Sequence, residues 1–102
     1  MATPESRVKD AVKKVLNAYT PVWYFMPVSG GYGAHGIPDF VCCVAGGFLV
    51  IECKANAGKL TALQNLQLTG AKGAGGVALL IRSVEEAFDV EAYLRMMGAH
   101  FK

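Results

Sequence analysis

The apolar positions in the first twenty residues repeat with the spacing of an amphipathic helix. Thr3 followed by Pro4 is a typical helix start, because threonine caps free N–H groups and proline fits the first turn. The positions that form the apolar side are Val8, Ala11, Val12, Val15, Leu16 and Tyr19. Pro21 is expected to end this helix, and the β-forming residues at 22–28 predict a first strand.

A hairpin is predicted after a glycine-rich loop at residues 29–36. Apolar runs over residues 37–44 and 48–54 have the composition of strands. They are separated by Ala45-Gly46-Gly47, and we expect Gly46-Gly47 to form a two-residue turn between them.

The second half of the chain alternates helix, strand and helix. Thr61 with Gln64 three residues later is a capping-box pattern, which predicts a helix over residues 61–72. Residues 77–82 are an apolar run that predicts a fourth strand, and a second capping-box pattern at residues 83–86 predicts a third helix. The apolar side of that helix consists of Ala87, Phe88, Tyr93, Leu94 and Met97.

The resulting order, α-β-β-β-α-β-α, predicts one α/β domain over residues 1–102, with a mixed central sheet flanked by helices. The apolar content of 53% and the charged content of 18% exclude a disordered chain. The formal net charge is only +2, so any nucleic-acid site must arise from local clustering of basic residues.

Cysteine and hydropathy patterns limit the setting of the protein. The three cysteines have no CxxC spacing, and neither His35 nor His100 has a partner at ligand spacing, so no disulfide framework or zinc site is expected. The longest apolar stretch, residues 40–51, is too short to span a bilayer, and the N-terminus has no signal-peptide pattern. We expect a cytoplasmic protein without a membrane partner.

Two carboxylates and a lysine stand at the polar ends of the predicted hairpin. With a turn at Gly46-Gly47, Asp39 lies opposite Lys54, and the pleat places Glu52 and Lys54 on the same face. The three side chains then converge at the far end of the hairpin. A register slip of one residue would separate them, so the prediction depends on the turn.

This set of side chains has the chemistry of a metal-assisted phosphodiester hydrolase. Asp39 and Glu52 are hard oxygen ligands, and a divalent cation between them would relieve their mutual repulsion. Such an ion makes its water more acidic, and Lys54 would orient that water or stabilise charge in the transition state. An ordinary salt-bridged strand end remains the alternative interpretation.

A family resemblance rests on these residues. Pro38-Asp39 followed by Glu52-Cys53-Lys54 resembles the PD-(D/E)xK nuclease motif. The longer pattern, with Gly36-Ile37 before Pro38-Asp39 and with Thr61, Gln64 and Gln67 on a helix, resembles the VRR-NUC branch of that superfamily. Members of the branch are found as small stand-alone phage proteins and within DNA-repair nucleases. The resemblance implies a restriction-endonuclease-like fold and a Mg²⁺- or Mn²⁺-dependent DNA endonuclease.

The resemblance also implies roles for particular residues. Asp39, Glu52 and the backbone carbonyl of Cys53 would be metal ligands, and Lys54 the catalytic lysine. Glu5 on the first helix matches an acidic residue that often completes the site as a further ligand, and the resemblance also implies that Gln64 faces the active site as a further catalytic candidate. Stand-alone members resemble Holliday-junction resolvases, which implies a homodimer that cuts branched DNA in repair or recombination.

Several candidates have a structural alternative. Glu5 also suits the first turn of a helix because of the helix dipole, and Gln64 also completes the capping box with Thr61. The lysines also suit a solvated surface, and the glycine-rich loop also suits a plain turn. In a DNA enzyme the phosphate or base contacts would be made by Lys9, Lys13, Tyr32, His35 and Lys59.

Three other functional classes compete with a structure-selective endonuclease. The first is a non-catalytic module that binds DNA structures, although an intact Asp39, Glu52 and Lys54 set argues against it. The second is a sequence-specific restriction-type nuclease, for which the chain has no dedicated recognition segment. The third is a small metal-binding protein without a nucleic-acid role, supported only by the modest net charge.

Overall fold

A computed structural model describes residues 3–28 and 35–102 of the chain. The helices within these ranges are α1 (Pro4–Asn17), α2 (Ala62–Gly73) and α3 (Asp89–Met96). The strands are β1 (Tyr19–Thr20), β2 (Val22–Phe25), β3 (Phe40–Val44), β4 (Gly47–Cys53), β5 (Val77–Ile81) and β6 (His100–Phe101).

The main sheet has the strand order β2-β3-β4-β5. The pairs β2–β3 and β3–β4 are antiparallel, whereas β4 and β5 run parallel, as a helical crossover through α2 requires. The predicted α/β fold with a mixed sheet flanked by helices is therefore confirmed. The predicted order of the main elements also agrees with the structure.

One face of the sheet forms the hydrophobic core with α1 and α3. We call it the inner face, and the other the outer face. The inner face includes Phe40, Cys42, Val44, Leu49, Ile51 and Cys53, and the helices contribute Val8, Val12, Leu16, Val90 and Leu94. These side chains are at most 3% exposed. Helix α1 begins as predicted, since the N–H of Ser6 donates to Thr3 Oγ1 at 3.1 Å.

The hairpin turn differs from the prediction. Val44 pairs with Gly47, so the two turn residues are Ala45 and Gly46, with φ of 48° and 86°. Both angles lie in the left-handed region that a type I′ turn requires. The prediction of Gly46-Gly47 was wrong because it assigned both positive angles to glycine, and an alanine takes one of them.

The new turn shifts the β3–β4 register by two residues. Val41 pairs with Val50, and Phe40 with Ile51. One position further along, Asp39 comes opposite Glu52, so the predicted pairing of Asp39 with Lys54 was wrong. A shift of two residues keeps every side chain on its predicted face. The carboxylates therefore still share the outer face, and they lie closer in register than predicted.

The ends of several elements also differ. Helix α1 ends at Asn17, because Tyr19 leaves the helix and pairs with Phe101 in a short ribbon of β1 and β6 that the sequence did not indicate. The first main strand ends at Phe25, three residues before the predicted end. Strand β3 begins only at Phe40, after the Pro38 position that has no N–H to pair.

The predicted third helix is preceded by a 3-10 turn, Glu86–Phe88. The N–H of Glu86 donates to Ser83 Oγ at 3.0 Å, but the Glu86 carboxylate accepts from the N–H of Arg82 instead of Ser83. The capping box is thus only half formed, and Phe88 is exposed instead of packing on the apolar side. In residues 3–28 and 35–102, no helix is both long and apolar enough to cross a bilayer.

Candidate active site

Two carboxylates meet where β3 begins and β4 ends. Asp39 immediately precedes β3, and Glu52 is the next-to-last residue of β4. Glu52 is only 3% exposed, and it is the one charged residue that is buried in the part of the chain that the structure describes. A buried carboxylate is costly unless partners or function compensate for it.

Asp39 is fixed by contacts to both of its oxygens. Its Oδ2 accepts a hydrogen bond from the N–H of Cys53 at 2.7 Å, which ties it across to the end of β4. Its Oδ1 lies 3.4 Å from the Nζ of Lys9 on α1. The carboxylate is therefore held against the neighbouring strand instead of turning freely towards solvent.

Lys54 and Gln64 are the partners of Glu52. The Nζ of Lys54 lies 3.9 Å from Glu52 Oε2, and its side chain is only 15% exposed. The Nε2 of Gln64 donates to the same Oε2 at 3.1 Å. Both contacts come from polar groups whose orientation is set by β4 and by the first turn of α2.

Gln64 has two structural roles at once. Its Oε1 accepts from the N–H of Thr61 at 3.0 Å, and its own N–H donates to Thr61 Oγ1 at 3.1 Å, which is a complete capping box. The same side-chain amide donates to Glu52 through its nitrogen. The two interpretations of Gln64 are thus compatible, because the oxygen caps the helix while the nitrogen contacts the buried carboxylate.

The pKa of Glu52 is raised from 4.5 to about 7. Burial is the largest cause, and the negative charge of Asp39 adds to it. Lys54 and a hydrogen bond from the Asp39 backbone act in the opposite direction without cancelling the rise. The pKa of Glu52 is therefore raised mainly because the carboxylate is buried, although Lys54 lies beside it.

A cleft of about 460 Å³ contains all the side chains predicted as catalytic. These are Glu5, Asp39, Glu52, Lys54 and Gln64. Lys9 and His35 also line the cleft. Glu5 lies at its outer edge, where its Oε2 is 3.6 Å from Lys9 Nζ, so it reaches the carboxylate pair only through that lysine.

Gly36 brings the cleft walls together, a role that the sequence did not indicate. Its φ is 75°, and a Cβ placed there would lie 2.4 Å from the carbonyl carbon of Leu63 and 2.7 Å from the backbone nitrogen of Gln64. Only glycine permits this close approach between the segment before Asp39 and the start of α2. The sequence signal for this role was the Gly36-Ile37-Pro38-Asp39 pattern, in which a role was predicted only for Asp39.

Not every predicted residue reaches the cleft. Lys13 and Lys59 are exposed and do not line it, and Tyr32 lies outside the described residues. The Cys53 side chain is buried on the inner face, where burial raises its pKa, so only its main chain faces the carboxylates.

The residues present fit a hard divalent cation held by few protein ligands. Within residues 3–28 and 35–102, no group of three or more His, Cys, Asp or Glu side chains is arranged to hold a metal ion. Mg²⁺ typically uses one or two carboxylates together with water and substrate phosphates, which Asp39 and Glu52 can supply. Burial and, to a smaller extent, the charge of Asp39 raise the pKa of Glu52, and a bound cation would offset both.

Comparison with known proteins defines the class of fold. A solved structure described as "VRR_NUC domain" is similar over 90% of this chain and 98% of that chain, with a TM-score of 0.74 and 19% sequence identity. No protein-family profile and no curated protein sequence matches the chain. The chain therefore has the nuclease-type fold of a VRR_NUC domain, and the resemblance inferred from the motifs is confirmed at the level of fold.

Proposed function

We propose that this protein is a VRR-NUC endonuclease that hydrolyses DNA phosphodiester bonds with Mg²⁺ or Mn²⁺. The observation that carries the proposal is the buried Glu52, which lies opposite Asp39 and beside Lys54 in a cleft of a nuclease-type fold. A fold alone does not define a function, but this set of side chains has the parts that the chemistry needs.

The carboxylates define the place of the reaction. Asp39 and Glu52 would hold the cation, with the backbone carbonyl of Cys53 as a further ligand and Glu5 as an outer one. The cation would polarise a phosphate oxygen and lower the pKa of a water molecule. The hydrogen bond from the Cys53 N–H fixes Asp39 Oδ2, so the ligand oxygens keep their positions in the absence of DNA.

Lys54 and Gln64 act on charge and orientation. Lys54 is largely buried, so its ammonium stabilises developing negative charge more strongly than an exposed lysine would. Gln64 positions Glu52 through its 3.1 Å hydrogen bond and is itself fixed by the capping box. Lys54 therefore acts on the charge of the transition state, and Gln64 acts on the position of the metal ligand Glu52.

The substrate is proposed to be branched DNA, such as a flap or a Holliday junction. The exposed lysines Lys13 and Lys59, with His35 at the cleft, would contact phosphates, which carry little sequence information. Two copies in two-fold relation would suit paired cuts at a junction, so we propose a homodimer that acts in the cytoplasm during repair or recombination.

The proposal is tested by incubating the purified protein with linear duplex, flap and four-way-junction DNA in Mg²⁺, Mn²⁺ or chelator. Asp39→Asn is the informative variant, because the amide oxygen can still accept from the Cys53 N–H. Asp89→Asn, at an exposed position of α3, is the matched control. We expect metal-dependent cleavage by the wild type and the control, fastest on branched DNA, and none by Asp39→Asn.

The result separates the competing functions. Tight junction binding without cleavage under any metal would favour the non-catalytic DNA-binding module. Equal cleavage by Asp39→Asn would place the chemistry elsewhere. Light scattering coupled to size exclusion gives the mass in solution, and a mass of one chain would contradict the homodimer.

A further inference from the structure

Lys9 occupies a position that the catalytic roles described above do not explain. Its Nζ lies between two acidic side chains, 3.4 Å from Asp39 Oδ1 and 3.6 Å from Glu5 Oε2. The side chain is 30% exposed, and that of Asp39 is 18% exposed. An exposed helix-face lysine would pair with Glu5 alone, whereas Lys9 reaches across from α1 to the end of the sheet.

The oxygen that Lys9 contacts is the one free to bind a cation. The other oxygen of Asp39, Oδ2, already accepts the 2.7 Å hydrogen bond from the Cys53 N–H. A magnesium ion lies about 2.0–2.1 Å from its oxygen ligands, so an ion bound to Oδ1 would come within about 5.5 Å of the Lys9 ammonium group. The positive charges would repel each other at that distance, which weakens the Lys9 contact.

The arrangement of charges around the cleft also indicates that the Lys9 contact is replaceable. Three carboxylates, Glu5, Asp39 and Glu52, face two ammonium groups, each beside a different carboxylate: Lys9 at Asp39 and Lys54 at Glu52. Lysine is suited to a replaceable contact, since it is a point charge on a flexible four-carbon stem. Lys54 directly follows β4 and its side chain is 15% exposed, whereas Lys9 comes from α1 and is 30% exposed, so Lys9 is the more accessible of the two.

We propose that Lys9 is a built-in counter-ion of the site, which neutralises Asp39 in the metal-free protein and is displaced when a divalent cation binds. The inference rests on the proposed function, because it assumes that Asp39 is a metal ligand. Its consequence is specific: Lys9 lowers the affinity for metal while keeping the empty carboxylate pair compatible with the fold.

The test measures Mn²⁺ binding to the protein without DNA. Electron paramagnetic resonance gives the concentration of free Mn²⁺ at each point of the titration. Lys9→Met and Lys9→Gln both remove the charge, so a folding defect in one variant does not prevent the test. Lys9→Arg keeps the charge, and Lys13→Met removes an exposed lysine one turn further along α1. Asp39→Asn identifies binding at the proposed site.

We expect Lys9→Met and Lys9→Gln to bind Mn²⁺ roughly three- to tenfold more tightly than the wild type, as loss of a competing half-buried ion pair implies. Lys9→Arg and Lys13→Met should stay within about twofold. Unchanged or weaker binding by both neutral Lys9 variants, with binding lost in Asp39→Asn, would overturn the role of Lys9 and leave the proposed function standing. Wild-type binding that Asp39→Asn does not reduce would overturn both.

Discussion

The two ends of the outer sheet face differ from the usual pattern, in which apolar side chains are buried and charged side chains are exposed. At the turn end, Trp23, Cys43 and Phe48 form a cross-strand row, and Trp23 and Phe48 are 63% and 49% exposed. At the opposite end, the charged Glu52 is buried. Apolar side chains are thus in contact with solvent while a carboxylate is shielded from it, on one face of one hairpin.

The difference arises from where α2 begins. Its first turn lies over the end of β4, where Gln64 contacts Glu52, and the turn end is left uncovered at β2 and β3. Burying a carboxylate costs stability, whereas an exposed aromatic side chain costs little. The buried carboxylate is therefore the costlier of the two ends for stability, in keeping with the proposed active site there.

The largest expected effect is on catalysis at the polar end. Lys54→Met should slow single-turnover cleavage roughly 100- to 1,000-fold, because it removes the largely buried ammonium beside Glu52. Lys72→Met, at an exposed position in the last turn of α2, should change the rate less than about threefold. Comparable rates for the two variants would remove the distinction between Lys54 and a surface lysine.

Substitution of two glycines with positive φ, one at each end of the hairpin, compares how much each end contributes to the free energy of unfolding. Gly36→Ala should lower the free energy of unfolding by about 2–4 kcal/mol, because the new methyl group meets the main chain of Leu63 and Gln64. Gly46→Ala has nothing within 4 Å of the methyl group, so only the φ of 86° costs stability, about 1 kcal/mol. Urea denaturation measures both, and equal losses would contradict the close approach at Gly36.

The buried charge predicts a pH dependence in metal-free protein. The pKa of Glu52 is raised to about 7 in the fold, so its protonated form favours folding below about pH 4.5, and that contribution is lost as the pH rises through 7. Glu52→Gln should therefore be more stable than wild type at pH 8 in chelator, by about 2 kcal/mol, and nearly equal at pH 5.

Glu85→Gln, at an exposed position before the 3-10 turn, is the control for loss of one carboxylate. It should shift the free energy of unfolding by less than about 0.5 kcal/mol at either pH. A Glu52→Gln protein that is less stable than wild type at pH 8 would show that the buried carboxylate is well compensated, contrary to its raised pKa.

The smallest effects separate the two roles of Gln64. Thr61→Ala removes the side-chain acceptor at the start of α2 and should cost about 1 kcal/mol of stability, with little change in cleavage rate. Gln64→Ala should cost a similar amount and also slow cleavage about tenfold, since Glu52 loses a partner. Equal cleavage by the two variants would leave Gln64 with a capping role only.

Much of the fold follows from local patterns. The apolar spacing of α1, the Thr61–Gln64 box and the two strands around the hairpin were predictable, because each depends on neighbouring residues. The β1–β6 ribbon was not, since two-residue strands at opposite ends of the chain leave no periodic signal. Its members, such as Tyr19 and Phe101, are far apart in the chain and are brought together by tertiary packing.

In the site as in the fold, features set by neighbouring residues were predictable, and features set by tertiary packing were not. The sharing of one face by Asp39 and Glu52 was predicted from the pleat and survived a register error of two residues, since only odd shifts exchange faces. The burial of Glu52, the Lys9 contact and the need for glycine at position 36 depend on how α1 and α2 pack over the strand ends. No spacing along the chain encodes these contacts.

The most direct test is single-turnover cleavage of a four-way junction by Glu52→Gln in saturating Mg²⁺, in parallel with wild type and Glu85→Gln. The expected stability of Glu52→Gln excludes unfolding as a cause of lost activity. We predict that wild type and Glu85→Gln cut the junction and stop when chelator is added, while Glu52→Gln is slower by at least about 1,000-fold. Cleavage by Glu52→Gln at a rate near wild type would contradict an active site built on Asp39 and Glu52.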